Sequence, residues 1–177
     1  MSWMKPEERR ARGGAPRPTA RKRAAGRPRP PAFTVETTWT GGIRTVSRAR
    51  GHEVVADGPA WRKGTDEGPA PGELMLASVG ACLVNHLARA LERERVPFRG
   101  LGARVTGTFK RVGDLDVFDA FRFDVAVRAP EASMDAAGEA LEVARAECTL
   151  LLVVDVEKEF ALELVPDDDE VGGGGRA

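Results

Sequence analysis

Polar and apolar residues alternate over 33–40, with Val35, Thr37 and Trp39 set against Thr34, Glu36 and Thr38. Gly41-Gly42 is a turn signal, the alternation resumes over 43–50, and a third short run follows at 52–56. A period of two with β-branched residues between turn signals predicts an antiparallel meander. Residues 57–71 are rich in Gly, Pro and Asp and predict a loop. From 73 to about 95 there is no Pro until Pro97, and a helix is expected. Its first half (Leu74, Met75, Leu76, Ala77, Val79, Ala81, Cys82, Leu83, Val84) is apolar all round and is expected to be buried on every side. Its second half is amphipathic, with Leu87, Ala88 and Leu91 on one face and Arg89, Glu92 and Arg93 mostly off it.

Two strands are expected next, at 101–112 and 117–129, joined by a hairpin turn at Gly113-Asp114. The second alternates Phe121, Phe123, Val125 and Val127 with Arg122, Asp124, Ala126 and Arg128. Pro130-Glu131 opens a second helix reaching about Glu147, with Cys148 at its end. Residues 150–165 are apolar and β-branched and are expected to close the domain as one strand. The order is three strands, a helix, two strands, a helix and a strand. That is an α+β domain and not an alternating βαβ one.

Composition divides the chain. Its 177 residues fit one domain with extensions, and 27 Lys and Arg balance 27 Asp and Glu. The balance is uneven: Lys5, Arg9, Arg10, Arg12, Arg17, Arg21, Lys22, Arg23, Arg27 and Arg29 face only Glu7 and Glu8 at the start, and the end carries Asp167, Asp168, Asp169 and Glu170. Residues 1–31 hold too few large apolar side chains to offset their ordering entropy and are expected to be a disordered basic arm. Residues 167–177 are read as a disordered acidic and Gly-rich tail, which leaves 32–166 as the folded domain. A basic arm can contact nucleic acid, but this one has a single aromatic, Trp3, and no stacking pattern. No nucleic-acid partner is expected. No stretch reads as apolar for long enough to cross a bilayer, and no secretory signal is seen, so a cytoplasmic protein is expected.

Two cysteines are too few for a disulfide scaffold, and in a chain without an export signal they point to redox, catalytic or metal chemistry. Packing alone is the competing reading for both Cys82 and Cys148, because free Cys behaves as a small hydrophobe. A reactive thiol needs a nearby cation, a helix N-terminus or a metal. His86 follows Cys82 by one helical turn on the same face, either as a base or ligand or as an ordinary helix residue. Two ligands do not make a zinc site; His52 and Cys148 would have to complete it. No metal, and no cofactor beyond an external dithiol reductant, is expected. Glu73 is the only acid of the apolar stretch; it either answers the free amides of the helix start or holds an arginine near the thiol. Nine helical residues put Glu73 roughly 13 to 14 Å from Cys82 along the axis and on the opposite face, so an intervening side chain or a second subunit would have to link them.

The segment from Gly64 to Cys82, with its Gly/Pro loop, its Pro71-Gly-Glu-Leu-Met-Leu-Ala helix start and its small residues before Cys82, resembles the OsmC/Ohr family (osmotically inducible protein C, organic hydroperoxide resistance). Trp39-Thr-Gly-Gly-Ile-Arg44, Gly51-His-Glu-Val-Val-Ala-Asp57 and Cys148 are similar to further parts of its pattern. The resemblance implies antiparallel sheets around a long central buried helix, in an intertwined homodimer. It also implies a thiol peroxidase in which Cys82 attacks an organic hydroperoxide and Cys148 resolves the sulfenic acid to a disulfide. By the same resemblance Arg44 would stabilise the thiolate and Glu73 would orient Arg44. Ile43 stands between the glycine pair and Arg44, which leaves Arg48 and Arg50 as competitors for that role. The alternative is a non-enzymatic member of the family that binds an apolar small molecule in the dimer pocket.

Overall fold

A computed structural model describes residues 32–165. The expected basic arm at 1–31 and the tail at 167–177 lie outside the described residues. The described residues from Val35 onward belong to one compact unit by their internal contacts, and all that follows lies within it.

The meander forms as its alternation predicts: β1 (Glu36–Gly41), β2 (Arg44–Ala49) and β3 (His52–Ala56) make an antiparallel sheet in that order. Gly42, at a φ of 55°, supplies the left-handed backbone of the first turn. The sheet buries little within the chain. Every residue of β1 from Glu36 to Thr40 is exposed, Trp39 at 69%. The next segment is held by one acid. Buried Asp57 accepts from the Thr65 hydroxyl (2.7 Å), the Thr65 N–H (3.0 Å) and the Glu67 N–H (3.1 Å).

Helix α1 (Pro71–Arg93) starts with Pro at its first position, where no N–H is needed. Val79, Leu83, Leu87 and Leu91 form its buried stripe at four-residue spacing. Strands β4 (Gly100–Val112) and β5 (Leu115–Arg128) pair antiparallel, and the inward side chains of β5 (Phe121, Phe123, Val125, Val127) supply the facing layer. Helix α2 (Met134–Glu147) closes the core with Leu141 and with Ala137, Ala140 and Ala144, small residues that allow close approach to α1.

Four expectations are corrected. Residues 150–165 are not one strand: a short helix α3 (Thr149–Val153) follows Cys148, and only Glu157–Val165 is strand, β6. β6 also pairs parallel with β5, so the second sheet is mixed. A parallel partner cannot follow through a tight turn; α2 and α3 provide the crossover. The first half of α1 is buried on one side only in the single chain. Met75, Ala77 and Ala81 are exposed, because the first sheet does not cover them. Finally, α1 does have the length and the mean hydropathy (1.5) of a bilayer-crossing helix, contrary to the expectation from sequence. Its Val79–Leu91 stripe packs into the core with β5 and α2, the use a core helix makes of the same composition.

Candidate functional site

Cys82 sits mid-helix on α1, half-buried, and Cys148 sits at the junction of α2 and α3, fully buried. Both are free thiols. Packing of α2 along α1 brings them together: the two Sγ atoms and a ring nitrogen of His86 all lie within 4.8 Å of one another. A disulfide needs an S–S bond of about 2.05 Å, so bond formation asks the two sulfurs to move closer than they stand here. His86 Nδ1 is 3.7 Å from Cys82 Sγ and 2.8 Å from the Cys82 carbonyl oxygen. The shorter contact is an N–H donated to the carbonyl, which places the ring's proton on Nδ1.

Burial, and then the hydrogen bond with Cys82, pushes the Cys148 thiol up to about 11 from 9.0. The N–H groups of Leu151 and Leu150, at the start of α3, favour the thiolate but do not offset burial. Cys148 is thus held as a neutral thiol at ordinary pH, beside a more accessible partner.

Arg44 and Glu73 stand apart from this pair in the single chain. Arg44 lies on β2; its Nη1 donates to Thr40 Oγ1 (2.8 Å), and its Nε is 2.8 Å from Glu67 Oε2. That second contact is an ion pair without hydrogen-bond alignment, because Nε makes no aligned bond. Glu73 accepts from the Ala70 N–H at 2.7 Å and so caps α1. Among the described residues neither side chain hydrogen-bonds or ion-pairs with Cys82, with Cys148 or with the other. His52 lies on β3, outside the cluster that His86 joins.

Sequence reasoning missed Glu67 as the carboxylate beside Arg44. The available signal was the Asp57-to-Glu67 loop, which Asp57 folds back against the end of β3. Hydrogen bonds, first from the Thr65 hydroxyl and then from the Glu67 and Thr65 amides, hold the Asp57 carboxyl down at about 2. Sequence reasoning also missed a groove of about 460 Å³ along the outer face of α1, lined by Glu73, Leu76, Ala77, Gly80, Ala81 and Val84 with Ala103 and Val105 of β4.

An α+β domain with a two-thiol pair between its long helix and the end of the next is the class that fold and site define. The profile of the OsmC-like protein family matches residues 64–163, and the chain belongs to that family. Among solved structures, the OsmC-like protein from Mycoplasma pneumoniae superposes with a TM-score of 0.67 at 13% identity, covering 76% of this chain and 98% of that one. An organic hydroperoxide resistance protein from Elizabethkingia anophelis gives 0.59 at 15% identity, covering 78% and 98%. The organic hydroperoxide resistance protein OhrB of Bacillus subtilis gives 0.56 at 14% identity, covering 76% and 98%. At these identities the likeness is one of fold. No curated protein matches the sequence.

Proposed function

We propose that the protein is a thiol peroxidase that reduces organic hydroperoxides through Cys82 and Cys148. The observation that carries this reading is the approach of the two thiols to within 4.8 Å across the α1–α2 packing. Family membership and the hydroperoxide-resistance names of two fold neighbours support it.

In this reading the Cys82 thiolate attacks the terminal oxygen of the hydroperoxide. The O–O bond breaks, the alkoxide takes a proton and leaves as an alcohol, and Cys82 becomes a sulfenic acid. Cys148 loses its proton and attacks the Cys82 sulfur, water leaves, and a disulfide forms. An external dithiol then reduces the disulfide by exchange and is itself oxidised. Half-exposed Cys82 suits the attacking role and buried Cys148 the resolving role. Such a cycle needs a reducing compartment, which fits the cytoplasm.

The functional unit in this reading is a homodimer. The exposed apolar side chains in and beside the first sheet (Val35, Trp39, Ile43 and Val54) and the open groove along α1 are the surfaces that a second copy would cover. Closing them would let Arg44 turn from Glu67 toward Glu73 and Cys82, stabilising the thiolate while Glu73 orients the guanidinium. The apolar wall left beside α1 would favour an organic hydroperoxide over hydrogen peroxide.

Turnover of cumene hydroperoxide with dithiothreitol tests the reading. Wild-type protein should turn over, and Cys82→Ser should be inactive with its circular dichroism intact. Peroxide reduction surviving in that variant would overturn it.

A further inference from the structure

Cys82, His86 and Cys148 also form the one cluster of soft metal-ligand atoms among the described residues. We propose that they bind a zinc ion in the reduced protein, as a two-thiolate, one-imidazole site with an open fourth position. The peroxidase reading is not required for this.

The donor set and its spacing argue for zinc. A tetrahedral zinc with bonds of about 2.3 Å to sulfur and about 2.05 Å to nitrogen has S···N edges near 3.6 Å and an S···S edge near 3.8 Å. Cys82 Sγ and His86 Nδ1 are already 3.7 Å apart, and Cys148 Sγ lies within 4.8 Å of Cys82 Sγ and of a ring nitrogen of His86. Two of the ligands stand one turn apart on α1, and the third is fixed by the α2–α3 junction, so the site is held by packed elements rather than a loop.

Charge balance favours the same ion. Two thiolates neutralise a dication, so the site gains no net charge where Cys148 is buried. Both sulfurs bind as thiolates, so binding releases the proton of the Cys148 thiol. The imidazole must present its Nδ1 lone pair, so its proton moves to Nε2 and the contact with the Cys82 carbonyl oxygen is given up. Half-exposed Cys82 and His86 leave a path for the ion and room for a water at the fourth position.

The test uses the full chain, reduced and stripped of metal, titrated with Zn2+ against a chromophoric chelator. One ion per chain is expected, with release of protons on binding. His86→Ala should weaken binding by at least about a hundredfold, beyond the loss typical of groups that only support a ligand. Co2+ as a spectroscopic probe should give tetrahedral visible bands and near-ultraviolet charge transfer of two-thiolate intensity, falling to one in Cys82→Ser. The Co2+ spectrum of the wild-type protein counts thiolates even if Cys148 variants fail to fold. Three results would overturn the proposal: no ion held against the chelator, a Co2+ spectrum without two thiolates, or unchanged affinity in His86→Ala.

Discussion

Cys82 Sγ and Cys148 Sγ lie within 4.8 Å of each other, the first on the half-exposed side of α1 and the second fully buried where α2 ends. The asymmetry assigns different failures to the two variants. Cys82→Ser should lose peroxide turnover by more than about a thousandfold, the scale of removing a nucleophile. Cys148→Ala should still consume one equivalent of peroxide and stop as a sulfenic acid, which dimedone labelling with intact-mass analysis would detect.

Burial of Cys148 has a consequence at high pH. Its folded-state value is raised to about 11 from 9.0. Below about 9 the thiol is protonated in both the folded and the unfolded chain, so its contribution to stability is fully present. Between about 9 and about 11 the unfolded chain ionises first, and stability is lost as pH rises through that window. Thermal unfolding followed from pH 8 to 11 should therefore show a steeper decline in wild type than in Cys148→Ala. The chain has no tyrosine to confuse the comparison.

Asp57 behaves in the opposite sense. Its value is lowered to about 2 from 3.8, chiefly by the Thr65 hydroxyl, so its contribution is present above about 4 and is lost as pH falls toward 2. Asp57→Ala should remove three hydrogen bonds and loosen the segment between β3 and α1. Faster hydrogen exchange at the Thr65 and Glu67 amides, with protection of β5 unchanged, is the expected outcome.

Gly80 is a packing position. A Cβ there would come within 2.9 Å of Val105 Cγ2 on β4, and a β-branched Val side chain has little freedom to yield. Gly80→Val should destabilise the fold by about 1–3 kcal/mol through overpacking, measured by urea denaturation.

The carboxylate that orients Arg44 can be tested directly. In the single chain the partner is Glu67. If the working arrangement has Glu73 orienting Arg44, then Arg44→Ala should lower peroxide turnover by roughly a hundredfold, the scale of losing one charge-stabilising donor. Glu73→Gln should move turnover in the same direction and Glu67→Gln should leave it near wild type. The reverse ranking of the two glutamates would make Glu67 the orienting group.

Much of this was legible in the sequence, because period-two and four-residue spacings report which face is buried. The β1–β3 meander, the β4–β5 hairpin at Gly113 and the stretch of α1 emerge directly from them. The strand expected at 150–165 failed for a local reason: Leu150 to Val153 are as apolar as a strand, and only the parallel pairing of β6 with β5 demands a crossover there. The all-apolar start of α1 suggested burial on every side, but in one chain half of that surface stays open. Cys82 and Cys148 were identifiable as residues through the family resemblance. Their proximity, which brings Cys148 and not His52 to the Cys82–His86 pair, depends on how α2 lies along α1, which no local pattern encodes.

The most direct test of the central claim is a thiol count on the purified, reduced protein before and after a small excess of cumene hydroperoxide, followed by peptide mass mapping. The account predicts two free thiols falling to none, with Cys82 and Cys148 recovered as one crosslinked pair. Two thiols untouched by the peroxide would contradict it and leave the pair as core residues beside an apolar groove.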